Sequence, residues 1–245
     1  MKILVCITHV PDTTSKISFT DNNTKFNTGG VQFIIGPYDD YALARAVELK
    51  EQTGGSVTVL NVGQAETEPT IRKALAIGAD DAIRINSFPL DSYFVAQQIA
   101  AVAKEGGYDL ILMGRESIDF NGGMVHGMVG ELLGIPSVSP VMKLEMNGTT
   151  ATCAREIEGG KEYVEVNLPF VAGCQEPIAE WKIPNMRGIM TARTKKLDVR
   201  EPVAPETKTE LQRYDMPPAK GAVKMIDKDN VGELVRLLKT EAKVL

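Results

Sequence analysis

Gly114, Ser117, Asn121, Gly122 and Gly123 fall within one short turn, and together they can hold an anion. They lie in DLILMGRESIDFNGGMVHGMVGELLG, Asp109–Gly134. Glycine lets a ligand approach the backbone closely, and Ser and Asn side chains hydrogen-bond phosphate or ribose. Leu110–Met113 is an apolar run short enough for a buried strand. Met124, Met128, Val129 and Leu132 recur at helical spacing, and Gly134 can end that helix. A strand, a glycine-rich turn and a helix in this order aim free N–H groups and a helix N-terminus at an anion. The turn Gly114–Gly123 is therefore read as the holder of the phosphate of an adenine nucleotide. Asp119 suits a ribose hydroxyl or a cap better than a phosphate. Arg115 either neutralises phosphate or is an unremarkable surface cation.

Other chemistry is poorly supported. There is no GxGxxG after the first strand and no GxxxxGK[ST]. His9 and His126 are the only histidines, with no nucleophile pattern beside them and no metal-ligand spacing. Cys6, Cys153 and Cys174 show no CxxC and read as buried thiols. Asp39-Asp40 reads as a helix-start device, Arg72 as part of a solvated face, and Arg193 with Lys195–Lys196 as a short basic patch. The chain looks like a binder and holder, with no catalytic residues of its own.

The elements that must position the turn follow from patterning. At 245 residues, 43% hydrophobic and 24% charged, the chain can build a sizeable core. Its net charge of −5 argues against nucleic acid or an anionic membrane as partner. Met1–Val10 has no signal-peptide plan and no run approaches a membrane span, so a cytoplasmic protein without membrane insertion is expected. Lys2–Thr8 reads as a central parallel strand. Ser15–Gly30 is an irregular excursion or small hairpin, and Val31–Ile35 a short apolar segment. Tyr38–Thr53 is a helix, Ser56–Val62 a strand, Glu66–Ile77 a helix, Asp81–Ile85 a strand and Ser92–Lys104 a helix. Alternating strands and helices predict an α/β fold with a parallel sheet. If the first strand lies beside Leu110–Met113, the loops Thr8–Thr13 and Gly114–Gly123 share one crevice beyond the strand ends. Asn61–Gln64 would close that crevice over the adenine.

After Pro136 the texture changes. Val138–Glu145, Thr150–Glu158 and Lys161–Leu168 read as an antiparallel meander with turns at Asn147-Gly148 and Gly159-Gly160. Pro169–Cys174 returns to a strand. Gln175–Asp229 is proline-strewn with little periodicity, yet keeps Trp181, Ile183, Met186, Ile189 and Met190. It reads as an extended arm lying on another chain. Val231, Leu234, Val235, Leu238 and Ala242 predict a last helix that docks on something. The expected division is 1–174, a nucleotide-binding α/β unit with its meander at about 138–174, and 175–245, arm and terminal helix.

Six stretches, in order and over nearly the whole chain, resemble the beta subunit of electron transfer flavoproteins. They are KILVCITHVPDT, GPYDDYALARAVELKE, IRKALAIGADDAI, DLILMGRESID, AREIEGGKEYVEVNLPFV and RGIMTARTKKLDV. The resemblance implies a doubly wound sheet of the adenine nucleotide alpha hydrolase type. It implies a heterodimer with an alpha subunit that holds most of an FAD, and AMP bound structurally in this chain. Electrons would pass from flavin dehydrogenases of the acyl-CoA dehydrogenase type to a membrane quinone reductase or another acceptor, as in fatty acid β-oxidation. Carried over by position, the nucleotide site comprises Cys6, Gly36, Pro37, Tyr38, Asp39 and Val62. It continues through the turn Gly114, Arg115, Glu116, Ser117, Ile118, Asp119, Phe120, Asn121, Gly122, Gly123, Met124 and Val125. Thr13 and Tyr38 would face the FAD. Glu156 would meet the mobile alpha-subunit domain, and Met186 the dehydrogenase.

This sequence departs from the family at several points. AMP-binding members carry Asn-Gln-Thr where Gly123-Met124-Val125 stands here. Electron-bifurcating members, with a second FAD in this subunit, carry Gln-Val, of which Val125 matches. Gly36 replaces a usual Asn, and Thr8 a usual Lys. Three readings stay open: a carrier with AMP, a bifurcating relative with a second, NADH-reduced FAD, and a stand-alone ATP-binding regulatory protein.

Overall fold

The computed structural model describes residues 1–203 and 206–245; Ala204 and Pro205 lie outside it. In chain order the elements are β1 (Lys2–Cys6), β2 (His9–Pro11), β3 (Phe19–Thr20), β4 (Lys25–Phe26), β5 (Phe33–Ile35), α1 (Pro37–Thr53), β6 (Ser56–Val62), α2 (Glu68–Ile77), β7 (Asp81–Ile85), α3 (Ser92–Gly106), β8 (Leu110–Gly114) and α4 (Val125–Leu133). Then come β9 (Ser137–Asn147), β10 (Thr150–Ile157), β11 (Gly160–Asn167), β12 (Phe170–Cys174), α5 (Met186–Ala192), β13 (Leu197–Arg200) and α6 (Val231–Leu237).

Among the described residues the main sheet has the order β11-β10-β9-β12-β8-β1-β6-β7-β13. From β9 to β13 all neighbours are parallel; β10 and β11 are antiparallel. The pleat sorts the side chains of β1. Ile3 and Val5 pack with Leu43, Ala46 and Leu49 of α1 and Ile71 and Leu75 of α2. Leu4 and Cys6 pack with Ala96, Ile99 and Val102 of α3 and Val129 of α4. Helices thus cover both faces, and a strand buried on both faces reads as the continuous apolar run seen in Lys2–Cys6.

Strand β1 is flanked by β6 on one side and β8 on the other, with Cys6 opposite both Leu60 and Met113. The sheet grows outward from β1 to β7, then reverses to β8, so the switch point lies at the carboxyl end of β1. The turns of the meander bear out their glycines: Gly148 and Gly159 have φ of 63° and 81°.

The segment after Gln175 departs from a structureless arm. It contains α5 and β13, which zips onto β7 with Leu197 opposite Ala82. Seven- and four-residue elements are too short to leave a periodic trace. Further on, Val203 N–H donates to Gln98 Oε1 (2.8 Å). The N–H groups of Lys208 and Thr209 donate to Asp91 Oδ2 (2.6 and 2.9 Å). Tyr214 stacks on Phe19 of the small β3–β4 hairpin at 4.6 Å. The chain is therefore fastened to itself as far as Tyr214. Beyond it Val223, Met225, Val231, Leu234 and Val235 are exposed, and only Leu237 of α6 is buried.

Candidate nucleotide-binding site

The crevice is built around one carboxylate. Asp39, in the first turn of α1, is buried and accepts three hydrogen bonds. Thr8 N–H and Thr8 Oγ1 donate to its Oδ2 (2.8 and 2.6 Å), and Gly114 N–H donates to its Oδ1 (2.7 Å). It thus ties together the chain ends that leave β1 and β8, 31 and 75 residues away in sequence. Burial pushes its pKa up to about 6 against those hydrogen bonds, so it is ionised at neutral pH. Asp39 is more than a helix-start device; it is the keystone of the crevice floor. Asp40 next to it accepts from Trp181 Nε1 (3.1 Å) and lies 3.7 Å from Lys73 Nζ.

Two glycines are required by this packing. A Cβ on Gly36 would stand 2.4 Å from Thr8 Oγ1 and 2.5 Å from Asp39 Oδ2. One on Gly114 would stand 2.6 Å from Asp39 Oδ1 and 2.7 Å from Tyr38 Cβ. Pro37 occupies the first turn of α1, where its missing N–H costs nothing.

Residues Asp119–Met124 lie open to solvent above this floor. Ser117 Oγ donates to Asp119, and Asn121 N–H bonds Ser117 O (2.7 Å), closing a tight turn with Asn121 at φ 49° and Gly123 at φ 58°. Helix α4 then starts at Val125, and Met124 supplies no side-chain cap. Its first-turn N–H groups have no intrahelical partner, and the helix dipole favours negative charge there. A Cβ on Gly122 would meet nothing closer than Ser92 Oγ at 3.6 Å. The opening fits a phosphate held by backbone donors.

The remaining named residues take specific places. Cys6 ends β1, buried, its thiol pushed well up by burial and the nearby Asp39 charge. Val62 ends β6, half-buried. Asn61 before it donates Nδ2–H to Ile7 O (2.9 Å), while its buried Oδ1 has no protein partner. Ile118 is half-buried and Phe120 exposed. Thr13 sits exposed in the turn after β2, where Asp12 accepts from Thr14. Arg115 is engaged by groups of the protein itself. Its guanidinium lies 4.8 Å from the Tyr38 ring and donates to Gln175 Oε1 and Glu116 Oε1, both at 3.0 Å. Gln175 Nε2 in turn donates to Glu156 Oε2 (2.7 Å). A polar chain thus runs from Tyr38 through Arg115 and Gln175 to Glu156. Met186 is distant in sequence and stands exposed at the start of α5.

Gln175 is a site residue that patterning missed, and Thr8, placed in the crevice loop by patterning, was given no partner there. Each directly follows or lies just beyond the end of a strand beside the switch point, and that placement was the available signal.

Fold and site together define an α/β protein with a mostly parallel sheet and an anion-ready crevice at its switch point. The family model described as "Electron transfer flavoprotein domain" matches residues 24–205. "Electron transfer flavoprotein subunit beta" of Bacillus subtilis (strain 168) is 36% identical, with all of both chains covered. The protein of that name from Syntrophomonas wolfei is 34% identical, covering 100% of this chain and 98% of the relative. "Acryloyl-CoA reductase electron transfer subunit gamma" of Anaerotignum propionicum is 32% identical over 96% of this chain and 97% of its own. The chain belongs to the electron transfer flavoprotein beta-subunit family.

Proposed function

We propose that this chain is the beta subunit of a heterodimeric electron carrier and holds AMP in the crevice of β1 and β8. The uncapped start of α4 above the Asp39-tied floor is the observation that carries the AMP reading. The fold is then of the adenine nucleotide alpha hydrolase type, and the carrier works in the cytoplasm. With the family's polar Asn-Gln-Thr run replaced here, the phosphate rests on backbone N–H groups of Gly122, Gly123 and Met124 alone. An FAD held mainly by the alpha subunit supplies the electron-accepting chemistry when bound. This chain's contribution is to wall that site with Thr13 and Tyr38, to orient partners, and to leave proton and acyl chemistry to others. Flavin dehydrogenases would donate and a quinone reductase or other acceptor would receive.

Gly122→Val tests the crevice. The added Cβ meets only ordinary contacts and the turn is open to solvent, so stability should stay within about 0.5 kcal/mol. AMP retained through purification should fall roughly tenfold or more as the valine fills the backbone approach. Full occupancy in that variant removes the phosphate role from the turn.

Helix α5 and the residues before it expose Ile183, Met186, Ile189 and Met190, the last three at helical spacing on one side of α5. With the resemblance, this face is the dock for dehydrogenases. Met186→Glu should slow electron uptake from an acyl-CoA dehydrogenase by roughly tenfold or more, with FAD content unchanged. An unaltered rate takes Met186 out of docking.

A second reading has one observation in its favour: a cradle made of backbone accepts the phosphate of an FAD as well as that of AMP. Two FADs per heterodimer, with no AMP, would select the bifurcating relative.

A further inference from the structure

Helix α5 has seven residues, too few to stay helical alone. Its inner face is made of small residues. Ala192 is buried, and a Cβ on Gly188 would stand 2.2 Å from Ala76 O. Helices α2 and α5 therefore touch backbone to backbone. Asn185 caps the N-terminus of α5 by accepting from Gly188 N–H (2.8 Å).

The two C-termini are capped reciprocally. Arg72 of α2 donates Nη1–H to Ala192 O (3.0 Å) and Lys195 O (2.8 Å), at the end of α5. Lys195, just beyond α5, donates to Leu75 O (2.9 Å) and Ala79 O (2.5 Å), at the end of α2. Glu68 Oε1 steadies Arg72 from Nε and Nη2 (3.1 and 3.0 Å). Cations at helix C-termini satisfy carbonyls that have no intrahelical partner and complement the dipole. Neither residue matches its sequence reading. Arg72 is a clamp rather than a solvated face, and Lys195 is spent on carbonyls rather than on a basic patch. Beyond Lys195, β13 is zipped to β7, which fixes the far end.

We propose that Arg72, Lys195 and Gly188 are positioning residues that hold α5 rigid before any partner arrives, so that Met186, Ile189 and Met190 reach a flavin dehydrogenase already ordered. None of the three needs to touch the partner. A segment ordered in advance loses less conformational freedom on binding and binds more tightly with the same contacts. The inference rests on the docking reading of α5 given above.

The test uses the heterodimer with its alpha subunit and a purified acyl-CoA dehydrogenase that reduces the wild-type protein. Arg72→Met removes the clamp, and Gly188→Ala loosens the helix contact without changing any exposed side chain. Amide hydrogen exchange over residues 186–192 should speed up in both. The dissociation constant for the dehydrogenase should rise roughly tenfold. In turnover, KM for the heterodimer should rise while kcat at saturation and reduction by dithionite stay unchanged. Faster exchange with an unchanged dissociation constant would overturn the inference, as would unchanged exchange in both variants. If Met186→Glu also leaves the dissociation constant unchanged, the docking reading falls and this inference with it. If only Met186→Glu weakens binding, docking stands and preorganisation alone is refuted.

Discussion

Asp39→Ala is expected to lower stability at neutral pH by about 3 kcal/mol and to empty the crevice. Three donors lose their acceptor: Thr8 N–H, Thr8 Oγ1 and the buried Gly114 N–H. A buried donor left unsatisfied costs roughly 1–3 kcal/mol, offset here by removal of a desolvated charge. The pH dependence separates this account from that of a simple favourable anion. Burial holds the Asp39 pKa at about 6, above its ordinary carboxylate value of 3.8. The folded protein therefore binds the proton more tightly than the unfolded chain, and this contribution is full below about pH 4 and lost as pH rises through 6. Thr8 Oγ1 accommodates the change, because a hydroxyl that donates to the carboxylate can turn and accept from the acid. The deficit of Asp39→Ala should thus be larger at pH 5 than at pH 7 in urea melts. A deficit that shrinks on acidification would contradict the burial argument.

Removing residues 216–245 is expected to leave a folded chain that no longer holds its alpha subunit. The main sheet and both core clusters lie entirely before Tyr214. The deleted part buries only Leu237 among its apolar residues, while Met216, Val223, Met225, Val231, Leu234 and Val235 face solvent. Such a run of exposed large side chains has no stabilising role within this chain. On a companion subunit each buries area worth roughly 1.5–3 kcal/mol, before the cost of ordering the arm. The truncated chain should melt within a few degrees of the intact one, and affinity for the alpha subunit should fall roughly a thousandfold, about 4 kcal/mol. Copurification at undiminished yield would show that the arm beyond Tyr214 is not the clasp.

The alternation of Lys2–Cys6, Pro37–Thr53, Ser56–Val62 and their successors was legible because glycines, prolines and apolar periodicity punctuate it. The crevice was legible for a related reason. Once the Leu110–Met113 run was set beside the first strand, the strand-end rule placed the loops Thr8–Thr13 and Gly114–Gly123 in one crevice, while Gly36–Asp39 entered only through the family resemblance. The bond that holds them was not legible. Asp39 reads locally as an acid in a helix's first turn, and its reach to Thr8 and Gly114 exists only in the tertiary fold. The same limit applies to Arg72 and Lys195, whose carbonyl partners lie more than a hundred residues off. Strand β13 is a strand because the edge of β7 is open to it, not because LDVR has strong preferences. Arm anchors such as Gln98 with Val203 and Asp91 with Thr209 pair side chain to backbone, and a backbone partner leaves no mark in sequence. They fasten the chain to itself as far as Tyr214, so the contact expected with a companion chain is confined, as an expectation, to residues beyond it.

Chromatography of the nucleotides released by acid from the copurified heterodimer bears most directly on whether the crevice at the ends of β1 and β8 is an adenine-nucleotide seat. One AMP alongside one FAD per heterodimer is the predicted composition. A complex that yields a single FAD and no second adenine compound would contradict it.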